Sequence, residues 1–380
     1  MLRGPQLWAN WQAYDPDKRA DEVFEVVLYS DAYLAGQIAD PDWPIDLRTA
    51  IPPVRSGLKL TAVARIRWNT TADYDMTASD TGSYHGGGPG DEVAALVSLA
   101  LGLRCHSGGI TRRWSRGDPD PLGTPFEVDH HRPYLPEQAG RHPLLPGISD
   151  TSQHILTGDL EACRALFGSF ATASGRRATA LVRASRQYER ALWVAEDDPN
   201  LAWLQLVSAL EIAALESTAD KSPADRLKDA KPELYEQLLA VGQAHADAVA
   251  KELADQVKST ARFLKFMARF HPDPPDHRPP PYGQVDWQKM PKHLKLVYGY
   301  RSNALHSGVP FPDPMCSAPL PLADANSCPD ERPSYHAAAA AGAVWQAKDL
   351  PMHLHTFAYI TRSTLLKWWF SPSATERPTD

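Results

Sequence analysis

Arg301 and His306 are the residues of this chain whose types and spacing best fit a reaction. They lie in Leu296-Val297-Tyr298-Gly299-Tyr300-Arg301-Ser302-Asn303-Ala304-Leu305-His306-Ser307-Gly308. A guanidinium is a permanent cation with a planar fork of donors that suits a phosphate. An imidazole nearby can take or give a proton. Together they form a minimal kit for phosphodiester chemistry without a metal. Their spacing imposes a condition, however. Five residues on an ideal helix is about 500° of rotation and about 7.5 Å of rise, so the two side chains diverge by about 140°. They converge only if the last turn unwinds, or if a second copy of the helix completes the site.

The elements that must position this pair are helices. The Ser-Gly-Val-Pro sequence at 307–310 stops the motif helix, which runs over about 284–307. That stop puts His306 in the last turn, near the negative end of the helix dipole, a place that favours positive charge. Upstream, 200–217 is apolar on nearly every side, through Leu201, Trp203, Leu204, Leu206, Val207, Leu210, Ile212 and Leu215. Such a helix belongs at the centre of a bundle. Its polar exceptions, Gln205, Ser208 and Glu211, advance in threes and form one stripe. Glu211 is therefore either a carboxylate that reaches the motif helix and orients Arg301 or His306, or a buried acid held by another partner.

The rest of the chain divides at about residue 150. With 380 residues and 43% hydrophobic content it can bury a large core, and two domains are expected. Residues 1–150 read as an α+β domain of unknown role. Strand-like runs occur at 24–29 and 58–68, and a helix capped by Asp91 carries Val93, Leu96, Leu99 and Ala100 on its apolar side. The stretches 41–53 and 104–150 read as loops. Residues 151–370 read as a mainly α-helical bundle, with helices at 160–173, 176–196, 200–217, from 222, over 232–270 as one long or broken helix, and at 284–307 and 350–370. A further short Ala-rich helix is capped by Ser334, and 371–380 reads as a disordered tail. Net charge is −7 and the four cysteines form no Cys-x-x-Cys pair. No signal core or membrane-length apolar run is present. These features predict a soluble cytoplasmic protein with reduced thiols, no membrane partner and no global bias toward nucleic acid.

The helical half resembles the HEPN superfamily, particularly its ApeA-like members of prokaryotic defence and stress systems. The resemblance rests on the apolar helix with Ser208-Ala209-Leu210-Glu211, on the Tyr300–Gly308 segment, and on the closing helix. It covers roughly residues 155–370. Ser302 stands at the family's polar position with Asn303 beside it, Glu211 matches a shared acidic position, and Gly308 falls one place later than in near relatives. The resemblance implies a metal-independent endoribonuclease without a cofactor. In that scheme a ribose 2′-OH attacks the neighbouring phosphate and leaves a 2′,3′-cyclic phosphate. His306 would move the proton and Arg301 would stabilise charge on phosphorus. It further implies a homodimer through the motif helix, RNA as partner, and a toxin or antiviral-defence role with the N-terminal domain sensing or binding a regulator. The alternative it carries is a catalytically inactive HEPN module that binds RNA or a partner protein.

Other residues invite a function. Arg176, Arg177 and Arg183, with Arg164, Arg186 and Arg190, give two helices a basic content that suits an RNA backbone or simply a solvated face. Asp129-His130-His131 resembles a metal-ligand element of metal-dependent phosphoesterases but lacks that family's Asp-x-Asp strand, so no metal is expected. Gly86-Gly87-Gly88-Pro89-Gly90 reads as a connector rather than a phosphate loop. The Pro-rich stretch 309–333 starts three residues after His306 and is expected to gate the site.

Overall fold

The computed structural model describes residues 4–18, 20–50, 59–69, 77, 79–115, 124–125, 144, 157–218, 222–253, 259–320, 329–333 and 336–371. The N-terminal region is built on an antiparallel sheet. Helix α1 (Gln6–Ala13) precedes strands β1 (Glu22–Ser30), β2 (Tyr33–Ala35), β3 (Gln37–Ile38), β4 (Ile45–Thr49) and β5 (Lys59–Trp68). Helix α2 (Pro89–Leu101) and strand β6 (His106–Ser115) follow, then β7 (Thr124–Pro125) and β8 (Thr157–Asp159). Sheet order is β3-β4-β5-β1-β6-β7, with β1 antiparallel to both neighbours. Phe24, Val26 and Leu28 of β1 recur on the strand period of two and join the main core. Helix α2 lies close on this sheet. A Cβ on Gly90 would sit 2.7 Å from Val26 Cγ1 and 2.8 Å from Ser107 Oγ, so the approach needs glycine.

The remainder is rich in helix. It comprises α3 (Arg164–Thr172), α4 (Gly175–Val194), α5 (Pro199–Glu216), α6 (Pro223–Ala230), α7 (Pro232–Val241) and α8 (Gln243–Leu253). Then come α9 (Ser259–Phe270), α10 (Met290–Ser307), the short α11 (Asp313–Cys316), strands β9 (Ala337–Ala340) and β10 (Ala343–Gln346), and α12 (Leu354–Phe370). Helix α5 touches α4, α9, α10 and α12. Its Trp203 is fully buried between Phe311, at 5.1 Å between ring centroids, and Phe357, at 4.9 Å. Removing such a ring costs about 3–5 kcal/mol. One apolar cluster runs from Leu7 and β1 through α2 to Trp369, so sheet and bundle share a core. Helices α6–α8 hold a small cluster of their own around Leu227 and Tyr235. Among the described residues no helix is long and apolar enough to cross a membrane.

Several sequence-based expectations change here. The stretch at 41–53 contains β4, and 104–150 opens with β6, which pairs with β1 and β7. Gly108-Gly109 and Arg112-Arg113 disguise β6, because tertiary pairing overrides their weak strand propensity. Helix α2 starts at Pro89, and Asp91 caps it from inside by accepting the Gly88 amide at 2.8 Å. The Ala-rich stretch is a β-hairpin, since Ala341 (φ +46°) and Gly342 (φ +80°) form the left-handed pair of a two-residue turn. The stretch 232–270, expected as one long or broken helix, is broken at Gly242 between α7 and α8. Helix α5 is not enclosed on every side, for Leu201 and Leu215 are exposed and Gln205, Ser208 and Glu211 partly so. The start of the Pro-rich stretch is tied to α5. Phe311 is buried, its amide donates to Asn200 Oδ1 at 2.9 Å, and Met315 is buried behind it.

Candidate functional site

Helix α10 begins with Pro291 in its first turn, where a missing amide hydrogen costs nothing. Its buried residues, Met290, Leu294, Val297 and Tyr298, repeat every three or four positions and face α5 and α9. Arg301 follows Tyr298 by three residues and so continues that face. Its Nη2 donates to Glu211 Oε2 of α5 at 2.6 Å. The Tyr298 hydroxyl donates to the other carboxylate oxygen, Oε1, at 2.7 Å. The guanidinium carbon lies 5.5 Å over the Tyr298 ring, and that ring packs on Phe263 of α9 at 4.9 Å.

The result is a half-buried Glu211–Arg301–Tyr298 cluster, with the two charged side chains 18% and 19% exposed. In such a site a bidentate-capable cation is held by charge, by a ring face and by a rigid helix at once. The Arg301 Nε–H has no partner. That nitrogen is shut off from solvent, and the side chain as a whole is 19% exposed, so an anion meets the guanidinium only at its exposed part.

His306 sits elsewhere. Helix α10 stays regular to Ser307, and Gly308 then takes the left-handed region (φ +66°). The amides of Gly308 and Val309 both donate to the Asn303 carbonyl. Because the last turn does not unwind, the 140° divergence expected from the spacing persists in the folded chain. His306, Ser307 and Gly308 are exposed, as is Asn303, while Ser302 is half-buried. One copy of the chain brings Arg301 and Glu211 together and leaves His306 apart from them. Leu305 and Val309 beside His306 are each about half exposed, and Leu201 at the start of α5 is exposed too. The Phe311–Asn200 bond places these apolar residues in one neighbourhood.

Of the arginines proposed from sequence as RNA contacts, Arg164, Arg176, Arg177, Arg183 and Arg186 are otherwise engaged. Arg177 Nη2 donates to the carbonyls of Trp369 (2.8 Å), Ser371 (2.8 Å) and Trp368 (3.2 Å), which closes the end of α12. Arg183 donates to Tyr84 O and Gly82 O, and Arg186 to Gly86 O, so these two hold the Gly-rich connector. Arg164 pairs with Glu161 and with Asp40, and Arg176 lies 3.7 Å from Glu216. These contacts occupy donors of Arg177 and Arg183, because exposed helix-end and loop carbonyls compete for the same donors as a phosphate would. Sequence reasoning also missed Tyr298, although its place one turn before Arg301 is the signal that it shares the Glu211 face.

Cys163 and Cys316 are buried free thiols whose burial pushes their pKa up to about 12, so neither is an activated nucleophile. Among the described residues no three His, Cys, Asp or Glu side chains gather as metal ligands. Asp129-His130-His131 lies outside those residues. The chain matches no family model, no curated protein and no solved structure.

Proposed function

We propose that the protein is an endoribonuclease of HEPN type that cuts RNA without a metal and leaves a 2′,3′-cyclic phosphate. The observation that carries this reading is the Glu211–Arg301–Tyr298 cluster, with an unpartnered Arg301 Nε–H, on the helix that ends in the exposed His306. Glu211 fixes the guanidinium, the exposed part of that side chain meets a phosphate, and charge building on phosphorus is stabilised there. His306 moves the proton of the attacking 2′-OH or of the leaving oxygen. Because the two side chains diverge along one regular helix, the reacting site combines Arg301 of one protomer with His306 of a second copy. The exposed apolar residues Leu201, Leu305 and Val309 provide the contact for that copy. A role in defence or as a toxin follows from the family resemblance.

A second reading has its own support. Arg301 already spends a charged donor on Glu211, as a purely structural strut would. The protein would then bind RNA or a partner without cutting. Incubating the full chain with bulk RNA in excess EDTA decides between the two. Cleavage with cyclic phosphate ends, lost at least about a hundredfold in Arg301→Ala and in His306→Ala, is expected. Intact RNA under all conditions, or cleavage that survives His306→Ala, overturns the endoribonuclease reading.

A further inference from the structure

We propose that a basic groove along α10 seats the phosphate backbone of a single-stranded RNA on one side of the cut. This inference rests on the endoribonuclease reading for its direction, but its binding chemistry stands alone. The groove is an open cavity of about 1270 Å³, walled by α10 and by the segments around 278–289, 332 and 347–351. Six cations line it against two acids, Asp286 and Asp349, in a chain whose net charge is −7. Two of the six are paired. Arg278 holds Glu331, with bonds of 2.8 and 2.6 Å, and Lys289 holds Asp286 at 2.7 Å. Among the described residues Lys292, Lys295, Arg332 and Lys348 have no acidic partner.

Uncompensated like charges around a cavity repel one another and are relieved by an anion. Two further details agree. Arg332 Nε and His293 Nε2 are both buried without a hydrogen-bond partner. Arg332, Lys289 and Lys292 all act on the His293 ring, so the cations converge on one place rather than scatter over a surface.

The shape favours a strand over a small phosphate. The cavity exceeds the range of about 300–1,000 Å³ typical of small-molecule sites. Its cations come from separate segments, α10 and the chain at 332 and 347–351. At 100° per residue, Lys292, Leu296, Gly299, Asn303 and His306 fall within a stripe about 80° wide, on the side of α10 away from Arg301. From Lys292 to His306 the helix rises about 21 Å. That spans about six nucleotides stacked at 3.4 Å each. The floor of the groove therefore leads along one helix face to the proton-transfer residue.

The test is fluorescence anisotropy of a labelled 12-nucleotide oligoribonucleotide on full-length His306→Ala, which separates binding from cleavage. Adding Lys292→Glu and Lys348→Glu is expected to weaken binding at least tenfold and to reduce the salt slope by about 0.7 for each lost phosphate contact. Lys228→Glu with Lys251→Glu, the same charge change on exposed parts of α6 and α8, should alter affinity less than twofold. Equal weakening by the two pairs would falsify the groove, as would displacement of the RNA by a mononucleotide at comparable concentration. If thermal melting shows the groove pair to be unstable, Lys292→Gln with Lys348→Gln applies the same criterion at half the charge change. A wild-type chain that binds through the groove but leaves RNA intact sinks the endoribonuclease reading alone. Cleavage with unimpaired binding in the groove variants sinks the groove alone.

Discussion

Helix α4 carries five arginines, and the groove along α10 has four cations without acidic partners among the described residues, in surroundings that differ at almost every point. Three of the α4 arginines, Arg177, Arg183 and Arg186, lie against places where other elements run out of hydrogen bonds: the end of α12 and the glycine-rich approach to α2. Carbonyls there lack intrahelical partners, and a guanidinium supplies several donors in one fork. Around the α10 groove Arg278 meets a similar demand at the Val285 carbonyl (2.7 Å), whereas Lys292, Lys295, Arg332 and Lys348 surround the cavity. In sequence the arginine row looked the better site for a polyanion. Local demand for donors, rather than the density of positive charge, decides which cations remain available to a ligand.

The sharpest way to break this comparison is to remove one cation of each kind. Arg177→Ala strips three carbonyls of their donor and uncovers the rings of Trp368 and Trp369, which the guanidinium covers at 5.8 and 5.3 Å. A charged hydrogen bond is worth about 1.5–3 kcal/mol, so a loss of about 3 kcal/mol is expected. For a chain of this length that corresponds to a fall in melting temperature of about 4 °C. RNA binding should be unchanged in the folded protein. Lys292→Ala should do the reverse, with stability within about 0.5 kcal/mol of wild type. If Arg177→Ala melts like wild type and binds RNA poorly, the two rows have been assigned the wrong way round.

Arg301 lies between the two cases, being both anchored and open. Glu211→Gln keeps an acceptor for the Tyr298 hydroxyl and removes the charge that holds the guanidinium. A stability loss of about 1 kcal/mol is expected, because the pair is only half-buried and screened by solvent. Cleavage should fall about tenfold while groove affinity stays the same. A variant with full activity would show that the ion pair serves packing only, and would move Arg301 to the structural class with Arg177.

How far the sequence disclosed this arrangement depends on the range of the contacts. The course of α10 and its stop at Gly308 follow from helix period and end signals, which are local, whereas the Glu211–Arg301 contact joins residues 90 apart and was one of two readings open for Glu211. Strand β6 was hidden because its Gly-Gly and Arg-Arg pairs take their strand geometry from β1. The 337–346 hairpin was hidden because alanine favours helix, until the Ala341-Gly342 turn and its strand pairing decide otherwise. Lys289, Lys292 and Lys295 were visible at a spacing of three. What makes them a groove is Arg332 and Lys348, some forty to sixty residues further on, and no local pattern announces that. The task of Arg177 likewise depends on where α12 ends, nearly two hundred residues away.

The smallest expected effect concerns pH and tests whether the groove cations act together. Burial holds the His293 imidazole below its usual range, Asp286 opposes this, and Arg332, Lys289 and Lys292 add to the depression. In the free protein the ring is therefore neutral near pH 7. A phosphate strand in the groove would offset the surrounding cations and favour the charged ring, so its pKa rises on binding. Binding then takes up a proton. Affinity should increase as pH falls through the bound-state pKa, and the gain should level off once the pH lies below the lowered free-state value. Between pH 7.5 and 6 a gain of about threefold is expected, under 1 kcal/mol in magnitude. His306→Ala serves as the background, so that the motif imidazole does not contribute. His293→Gln should flatten the profile while it leaves affinity at pH 7.5 within twofold. A profile that stays steep in His293→Gln would mean that the pH response arises elsewhere and that the cations around this ring do not share one ligand.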